Sequence, residues 1–228
     1  MFFILKYIHN LSKIASRKNL YNFINKEIEK EISKKQNKNK LKILNIGSGG
    51  DIETLLKKIN NVELINVDID PKRNPDKILD ITDIKFEEKL NFKPDLITIF
   101  EVLEHVRSPE KAVNNIYKIL SKDNCCLASV PFIFHLHDEP NDFYRFTEYG
   151  LKNIFINFSN LKIKPRNGWL ETIFVILIRF IKEKSILMKF LGLLFIILYF
   201  LLYPIIQLIQ YFFKTKKITT GYFLKAVK

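Results

Sequence analysis

Residues 131–151, PFIFHLHDEPNDFYRFTEYGL, gather side chains suited to proton and anion chemistry. His137 can take up a proton near neutral pH, and Asp142 can either orient it or act as the base itself. Arg145 can hold a carboxylate or phosphate through its forked donors. A structural reading competes with this one. Asp142 and Arg145 can pair to brace the loop, and Thr147 can cap the helix that follows.

A second chemical element lies upstream in residues 42–51, KILNIGSGGD. Ile43, Leu44 and Ile46 read as a buried parallel strand, and Gly47, Gly49 and Gly50 let a ligand approach the main chain closely. Residues 51–60 then carry Ile52, Leu55, Leu56 and Ile59 at helical spacing, so the unit is strand, glycine loop, helix. A next strand, 62–67, ends on Asp68, about 20 residues beyond the loop, where an acid can accept hydrogen bonds from a ribose diol. The third glycine of a dinucleotide loop would fall at Ile52, which disfavours NAD.

The surrounding elements follow from periodicity. Residues 77–80, 95–100, 125–130, 161–165 and 219–227 read as further strands. Ser108, Pro109 and Glu110 open a helix whose buried stripe is Ala112, Val113, Ile116, Ile119 and Leu120. Residues 10–35 read as one or two amphipathic helices packing on the core or covering the ligand, before a polar linker at 36–40.

The glycine segment resembles the first motif of class I S-adenosylmethionine-dependent methyltransferases, approximately V-L-D-x-G-x-G-x-G. It is written here Ile43-Leu44-Asn45-Ile46-Gly47-Ser48-Gly49-Gly50-Asp51, with Asn45 for the usual acid and Asp51 for the last glycine. Residues 101–106, EVLEHV, resemble the post-strand motif of the type 11, or ubiquinone-biosynthesis-type, family. His137-x-x-Pro140-x-Asp142-x-x-Arg145-x-Thr147 resembles a pattern in a subset of that family linked to cell-surface sugar or lipid modification. The resemblance implies S-adenosylmethionine as cofactor, bound by Asn45, Gly47, Ser48, Gly49, Asp68, Asp80, Ile81 and Glu101, with Asp80 and Ile81 beside the adenine. It puts His137, Asp142 and Arg145 on the acceptor side and gives His105 a loop-ordering role.

Net charge is +13 over 228 residues, but it divides as +7 for residues 1–40, −4 for 41–160 and +10 for 161–228. Basic ends around an apolar segment suit an anionic membrane surface better than a nucleic-acid groove, so no nucleic-acid partner is expected. Cys125 and Cys126 adjoin in a strand and point to opposite faces, which implies neither a disulfide framework nor a metal site, and no metal is expected.

Residues 190–213 contain no charge, a length that suffices to cross about 30 Å of hydrocarbon. If 219–227 rejoin a cytosolic sheet, the chain crosses an even number of times or not at all. Residues 171–181 are short and contain Arg179, a poor second span. The expectation is an insertion lying in or dipping into the cytosolic leaflet, anchored by Lys182, Lys184, Lys189, Lys214, Lys216 and Lys217. A helical hairpin and an apolar dimer surface are the alternatives.

The expected architecture is α/β, a doubly wound seven-stranded Rossmann-like methyltransferase sheet. It divides into N-terminal helices (1–40), a donor-binding core (41–169), the apolar insertion (170–214) and the last strand of the core (215–228). The expected activity is methyl transfer to a small-molecule, lipid-linked or surface-glycan acceptor on the cytoplasmic side of the membrane. A membrane-bound scaffold that keeps the fold without the activity is the alternative.

Overall fold

The computed structural model describes residues 2–35 and 40–228, excluding the side chains of residues 2–10, 12 and 13. Within the expected linker, residues 36–39 lie outside the described residues.

The strands are β1 (Leu41–Ile46), β2 (Val62–Asp68), β3 (Lys77–Ile78), β4 (Leu96–Phe100), β5 (Cys125–Pro131), β6 (Asn160–Pro165) and β7 (Gly221–Val227). They form one seven-stranded sheet in the order β3-β2-β1-β4-β5-β7-β6, with β7 antiparallel to both its neighbours. Central β4 and β5 are buried at every position because helices cover both faces, which is why they read as near-continuous apolar runs interrupted only by Thr98 and Ser129. The edge strand β6 alternates, with Lys162 and Lys164 turned outward where a sheet edge meets water. β3 is shorter than the expected 77–80. The Asp80 carboxylate accepts from the Thr82 N–H at 2.8 Å and its hydroxyl at 2.7 Å, a side-chain turn that ends the extended backbone.

One face packs on α3 (Phe86–Leu90), α4 (Pro109–Ile119) and α5 (Glu148–Ile154). The other packs on α1 (Phe2–Lys34) and α2 (Gly50–Lys57). Cys126 joins the first cluster and Cys125 the second, as the alternation of strand side chains requires.

α1 is one unbroken helix. Its fully buried Leu20, Ile24 and Ile28 lie on the sheet, and Phe23 stacks on Phe223 with ring centres 4.8 Å apart. Lys225 clamps it by contacts of 3.1 Å to Glu27 and 2.6 Å to Glu31. Further along, Ala15 packs with Ile178, Ile196, Tyr199 and Ile206 of the insertion.

The insertion between β6 and β7 is a hairpin of α6 (Trp169–Ile178), a 3-10 turn and α7 (Ile186–Phe212). At its base, the Leu170 and Glu171 N–H groups each donate to Gln210 Oε1 at 3.0 Å, satisfying helix-start donors that apolar neighbours could not. Gln207 donates to Glu171 at 2.8 Å, and Trp169 donates to the Phe213 carbonyl at 2.8 Å. At the other end Gly192 lies against the Ile181 backbone, where a Cβ has no room. α7 runs through Pro204 without a break, so the proline removes one rung and does not divide the helix.

Because α1 closes one face of the sheet, Ile24→Ala should lower unfolding stability by about 2–4 kcal/mol. Urea denaturation monitored at Trp169 would check this, and an unchanged midpoint would mean that α1 is dispensable to the core.

Candidate active site

The chain reverses its winding between β1 and β4, and the carboxyl ends of these strands form a crevice. Gly47 leaves β1 at φ 95°, and a Cβ there would overlap the Val102 side chain, so glycine is required both by backbone angle and by space. The Ser48 N–H donates to Asp68 Oδ2 at 2.8 Å, tying the loop to the end of β2. The Ser48 hydroxyl donates to Glu53 Oε2 at 2.8 Å, and the Gly49 N–H donates to the same carboxylate. Glu53 thus shapes the loop from the first turn of α2, a role that its position on an exposed-looking helix did not announce.

A cavity of about 740 Å³ opens on the β2 side, lined by Gly47, Asp68, Asp80, Ile81, Val102 and His105 among others. Asp68 Oδ1 also accepts from the Asp70 N–H at 2.8 Å, yet each carboxylate oxygen keeps a second acceptor position for a ribose hydroxyl. Asn115 donates to the Ile81 and Asp83 carbonyls at 2.7 and 2.9 Å and fixes the wall beyond them. A second cavity of about 360 Å³, sharing Gly47, Glu101, Val102 and His105, adds Ser48, Gly49, His137, Arg166, Arg179 and Lys182. Asn45 lines neither. It is buried beneath the loop, donating to Asn66 Oδ1 at 3.0 Å and the Gly47 carbonyl at 3.2 Å while accepting from Thr98 at 2.9 Å. The structure gives it a loop-bracing place instead of a ligand-facing one.

Glu101 faces both cavities, in the left-handed region at φ 56°. Its carboxylate accepts from Ser129 at 2.6 Å and pairs with both terminal nitrogens of Arg166, one of them at 3.1 Å. Burial works against the Glu101 charge, but the Arg166 guanidinium and Ser129 hydroxyl outweigh it and hold the carboxyl below its ordinary value. Arg166 had no motif to mark it, since the sequence shows only a basic residue following a strand.

Among the expected acceptor-side residues, the structure brings only His137 to the cavity wall. Asp142 and Arg145 line neither cavity. They form a bidentate pair at 2.6 Å, and Arg145 also donates to the His135 and Tyr144 carbonyls at 2.9 and 2.8 Å. That pair holds the Asp142 carboxyl far below the usual carboxylate range, against the cost of burial, which makes it a poor base. The geometry therefore takes Arg145 away from the acceptor and keeps the orienting one of the two roles read for Asp142. Arg145 spends its fork on the loop and Asp142 orients His137, accepting its backbone N–H at 2.9 Å and lying 3.2 Å from its Nδ1. Burial opposes protonation of His137, but Glu104 and Asp142 outweigh it and raise the imidazole above its usual value. Glu104 also catches the loop through its carbonyl, which accepts from the Phe143 and Tyr144 N–H groups at 2.9 and 3.2 Å.

The roof of the smaller cavity comes from outside the sheet. Ser16 and Arg17 reach it from α1, and Arg179 and Lys182 from the turn of the insertion. Arg179 donates to the Ser16 hydroxyl at 2.7 Å, and Arg17 donates to Asp51 of the glycine segment at 3.4 Å, so the two coverings are joined to each other and to the loop.

This sheet order, with its antiparallel seventh strand and glycine-loop crevice, is the Rossmann-like methyltransferase fold. Residues 16–160 match the methyltransferase domain model, more than half of the chain, and the chain belongs to that family. A search of curated proteins finds no match. Among solved structures, an S-adenosylmethionine-dependent methyltransferase from Archaeoglobus fulgidus is similar over 93% of this chain and 97% of its own, at TM-score 0.55 and 15% identity. A putative sarcosine dimethylglycine methyltransferase from Galdieria sulphuraria is similar over 89% of this chain and 84% of its own, at TM-score 0.51 and 14% identity. Phosphoethanolamine N-methyltransferase 2 from Haemonchus contortus, crystallised with phosphomonomethylethanolamine and S-adenosylhomocysteine, is similar over 84% of this chain and 49% of its own, at TM-score 0.51 and 14% identity. At such identities the likeness is one of fold.

Arg166→Ala leaves the Glu101 charge facing a crevice without its partner and should cost about 3 kcal/mol of stability. Thermal unfolding would show this as a clear drop in Tm. Glu101→Gln combined with Arg166→Ala should recover part of the loss, because no unpaired charge then remains.

Proposed function

We propose that the protein transfers a methyl group from S-adenosylmethionine to an anionic, lipid-linked or amphipathic acceptor at the cytoplasmic side of a membrane. The observation that carries this reading is the roof of the smaller cavity. Arg179 and Lys182 belong to the same insertion whose outer face is apolar, and they line the cavity beside the glycine loop. Leu187, Phe190, Leu194, Leu201, Ile205 and Leu208 are exposed along α7 at helical spacing, a continuous apolar stripe that water alone would not favour.

The donor reading rests on family membership and on the larger cavity, where Asp68 suits the ribose and Asp80 and Ile81 suit the adenine end. Type 11 membership rests on the EVLEHV and His137-to-Thr147 patterns. For the membrane, β6 and β7 pair as neighbours, so the two ends of the insertion leave one side of one sheet. α6 has 10 residues, about 15 Å of helix, too short to span hydrocarbon. A hairpin embedded in the near leaflet fits both facts. Lys184, Lys189, Lys214, Lys216 and Lys217 flank the stripe and suit anionic headgroups.

The sulfonium already activates its methyl group, so the protein's share is alignment and, for a hydroxyl acceptor, proton removal. The acceptor atom forms the new bond to carbon while the electron pair of the broken C–S bond stays on sulfur. Arg179 and Lys182 suit a phosphate or carboxylate on the acceptor. His137 is the acceptor-side candidate within reach.

Calorimetry with S-adenosylhomocysteine should give a saturable 1:1 isotherm, weakened about tenfold or more by Asp68→Ala. A flat isotherm from folded wild-type protein would leave only the scaffold reading. In flotation assays the protein should rise with vesicles containing anionic phospholipid, and Phe190→Glu with Leu201→Glu should stay at the bottom. Wild-type protein that stays soluble and fails to float would remove the membrane from the proposal.

A further inference from the structure

We propose that Glu104, His105 and His137 form a binding site for a divalent transition-metal cation where the two cavities meet. The Glu104 carboxylate is fully buried, and neither of its oxygens has a hydrogen-bond partner among the described residues. Such a group is costly unless something positive faces it. Two imidazole nitrogens lie beside it: His137 Nε2 is 3.7 Å and His105 Nε2 is 3.9 Å from Glu104 Oε1, and one ligand atom from each residue falls within 4.8 Å of the others.

The hydrogen bonds on the far side of each ring fix what those nitrogens present. His105 Nδ1 is 2.8 Å from the Asn141 carbonyl, which can only accept, so Nδ1 carries the hydrogen and Nε2 presents its lone pair. His137 Nδ1 is placed likewise, between Asp142 Oδ2 at 3.2 Å and the His135 carbonyl at 3.4 Å. With both rings neutral, two lone pairs and a carboxylate converge on one point, an arrangement that a cation at the centre stabilises. Carbonyl or carboxylate partners behind each ring are the arrangement that orients metal-binding histidines. The Asp142–Arg145 pair then has a clear task, since it holds the oxygen that sets the His137 tautomer.

The spacing suits a first-row metal. Ligands at about 2.0–2.2 Å from zinc stand roughly 3.4 Å apart in a tetrahedron, so the two Glu104–histidine distances of 3.7 and 3.9 Å need to close by only a few tenths of an ångström, and the widest separation, within 4.8 Å, by about 1.4 Å at most. One carboxylate and two imidazoles favour Zn²⁺, Mn²⁺, Fe²⁺ or Co²⁺ over Mg²⁺ and Ca²⁺, which prefer all-oxygen sets. The exposed Asp138 carboxylate, 3.9 Å from His105 Nε2, flanks the solvent side, and both histidines line the smaller cavity. Positions remain open toward the acceptor.

The cation site stands on this geometry alone, while its use rests on the methyl-transfer reading. An acceptor hydroxyl bound there would release its proton to solvent more readily, and its oxygen would then take the methyl group from sulfur. His137 would ligate the cation and not act as base, which selects oxygen acceptors.

The test is calorimetric titration of chelator-treated protein with Zn²⁺, Mn²⁺ and Mg²⁺ in separate runs. One equivalent of Zn²⁺ or Mn²⁺ should bind in preference to Mg²⁺, and affinity should fall about tenfold or more in Glu104→Gln, His105→Ala and His137→Ala. The partly exposed histidine variants keep the test intact if the Glu104 variant does not fold. No uptake by wild type, as expected if a proton alone bridges Glu104 and His137, would overturn the site, and so would equal uptake by the variants. A parallel S-adenosylhomocysteine titration separates the readings. Cation uptake without donor binding supports the site and removes methyl transfer, and donor binding without cation uptake does the reverse.

Discussion

The buried guanidinium of Arg166 is the constraint to which the rest of the structure answers. Its side chain neutralises Glu101 at the end of β4 and reaches the Val130 carbonyl at 3.5 Å. Its backbone N–H donates to the Gly221 carbonyl at 2.9 Å, and its carbonyl accepts from Asn19 of α1 at 2.9 Å. One residue thus holds the crevice, the antiparallel pair that frames the insertion, and the N-terminal helix in register. A buried charge tolerates little displacement, because separation from its partner exposes both to an uncompensated desolvation cost. This ties the geometry of the cavity to the docking of the elements that cover it.

That coupling gives the unusual charge distribution a physical meaning. Residues 41–160 are mildly acidic, and the basic excess belongs to residues 1–40 and 161–228, which supply the roof. Arg17, Arg179 and Lys182 bring further positive charge to a crevice whose own ionisable groups include Asp68, Asp80, Glu101, Arg73 and Arg166.

The hairpin resolves the conflict posed by its own composition. α7 is long and apolar enough to cross a membrane, yet Gly192, Ile196, Tyr199 and Ile206 face protein, while much of the rest of the helix is exposed. Gln207 and Gln210, polar residues in an otherwise apolar run, are consumed in capping the start of α6. The helix thus spends a narrow buried face and its two glutamines on its own fold and leaves the broader apolar face exposed.

Local patterns in the sequence determined the strands, the glycine loop and the helix after Ser108, because period-two and period-3.6 burial and backbone angle are short-range properties. The sheet as a seven-stranded doubly wound structure was legible through the motifs at 43–51 and 101–106, whose spacing presupposes it. What each polar side chain does was decided only in three dimensions. Asn45 turned inward because Asn66 and Thr98 sit on neighbouring strands, and Asp142 with Arg145 turned to the loop because His135 and His137 curl around them. Arg166, Arg179 and the meeting of Glu104 with His137 were invisible for the same reason. Their partners lie dozens of residues away, and only the folded chain brings charges separated by such lengths into contact, where burial makes the pairing obligatory.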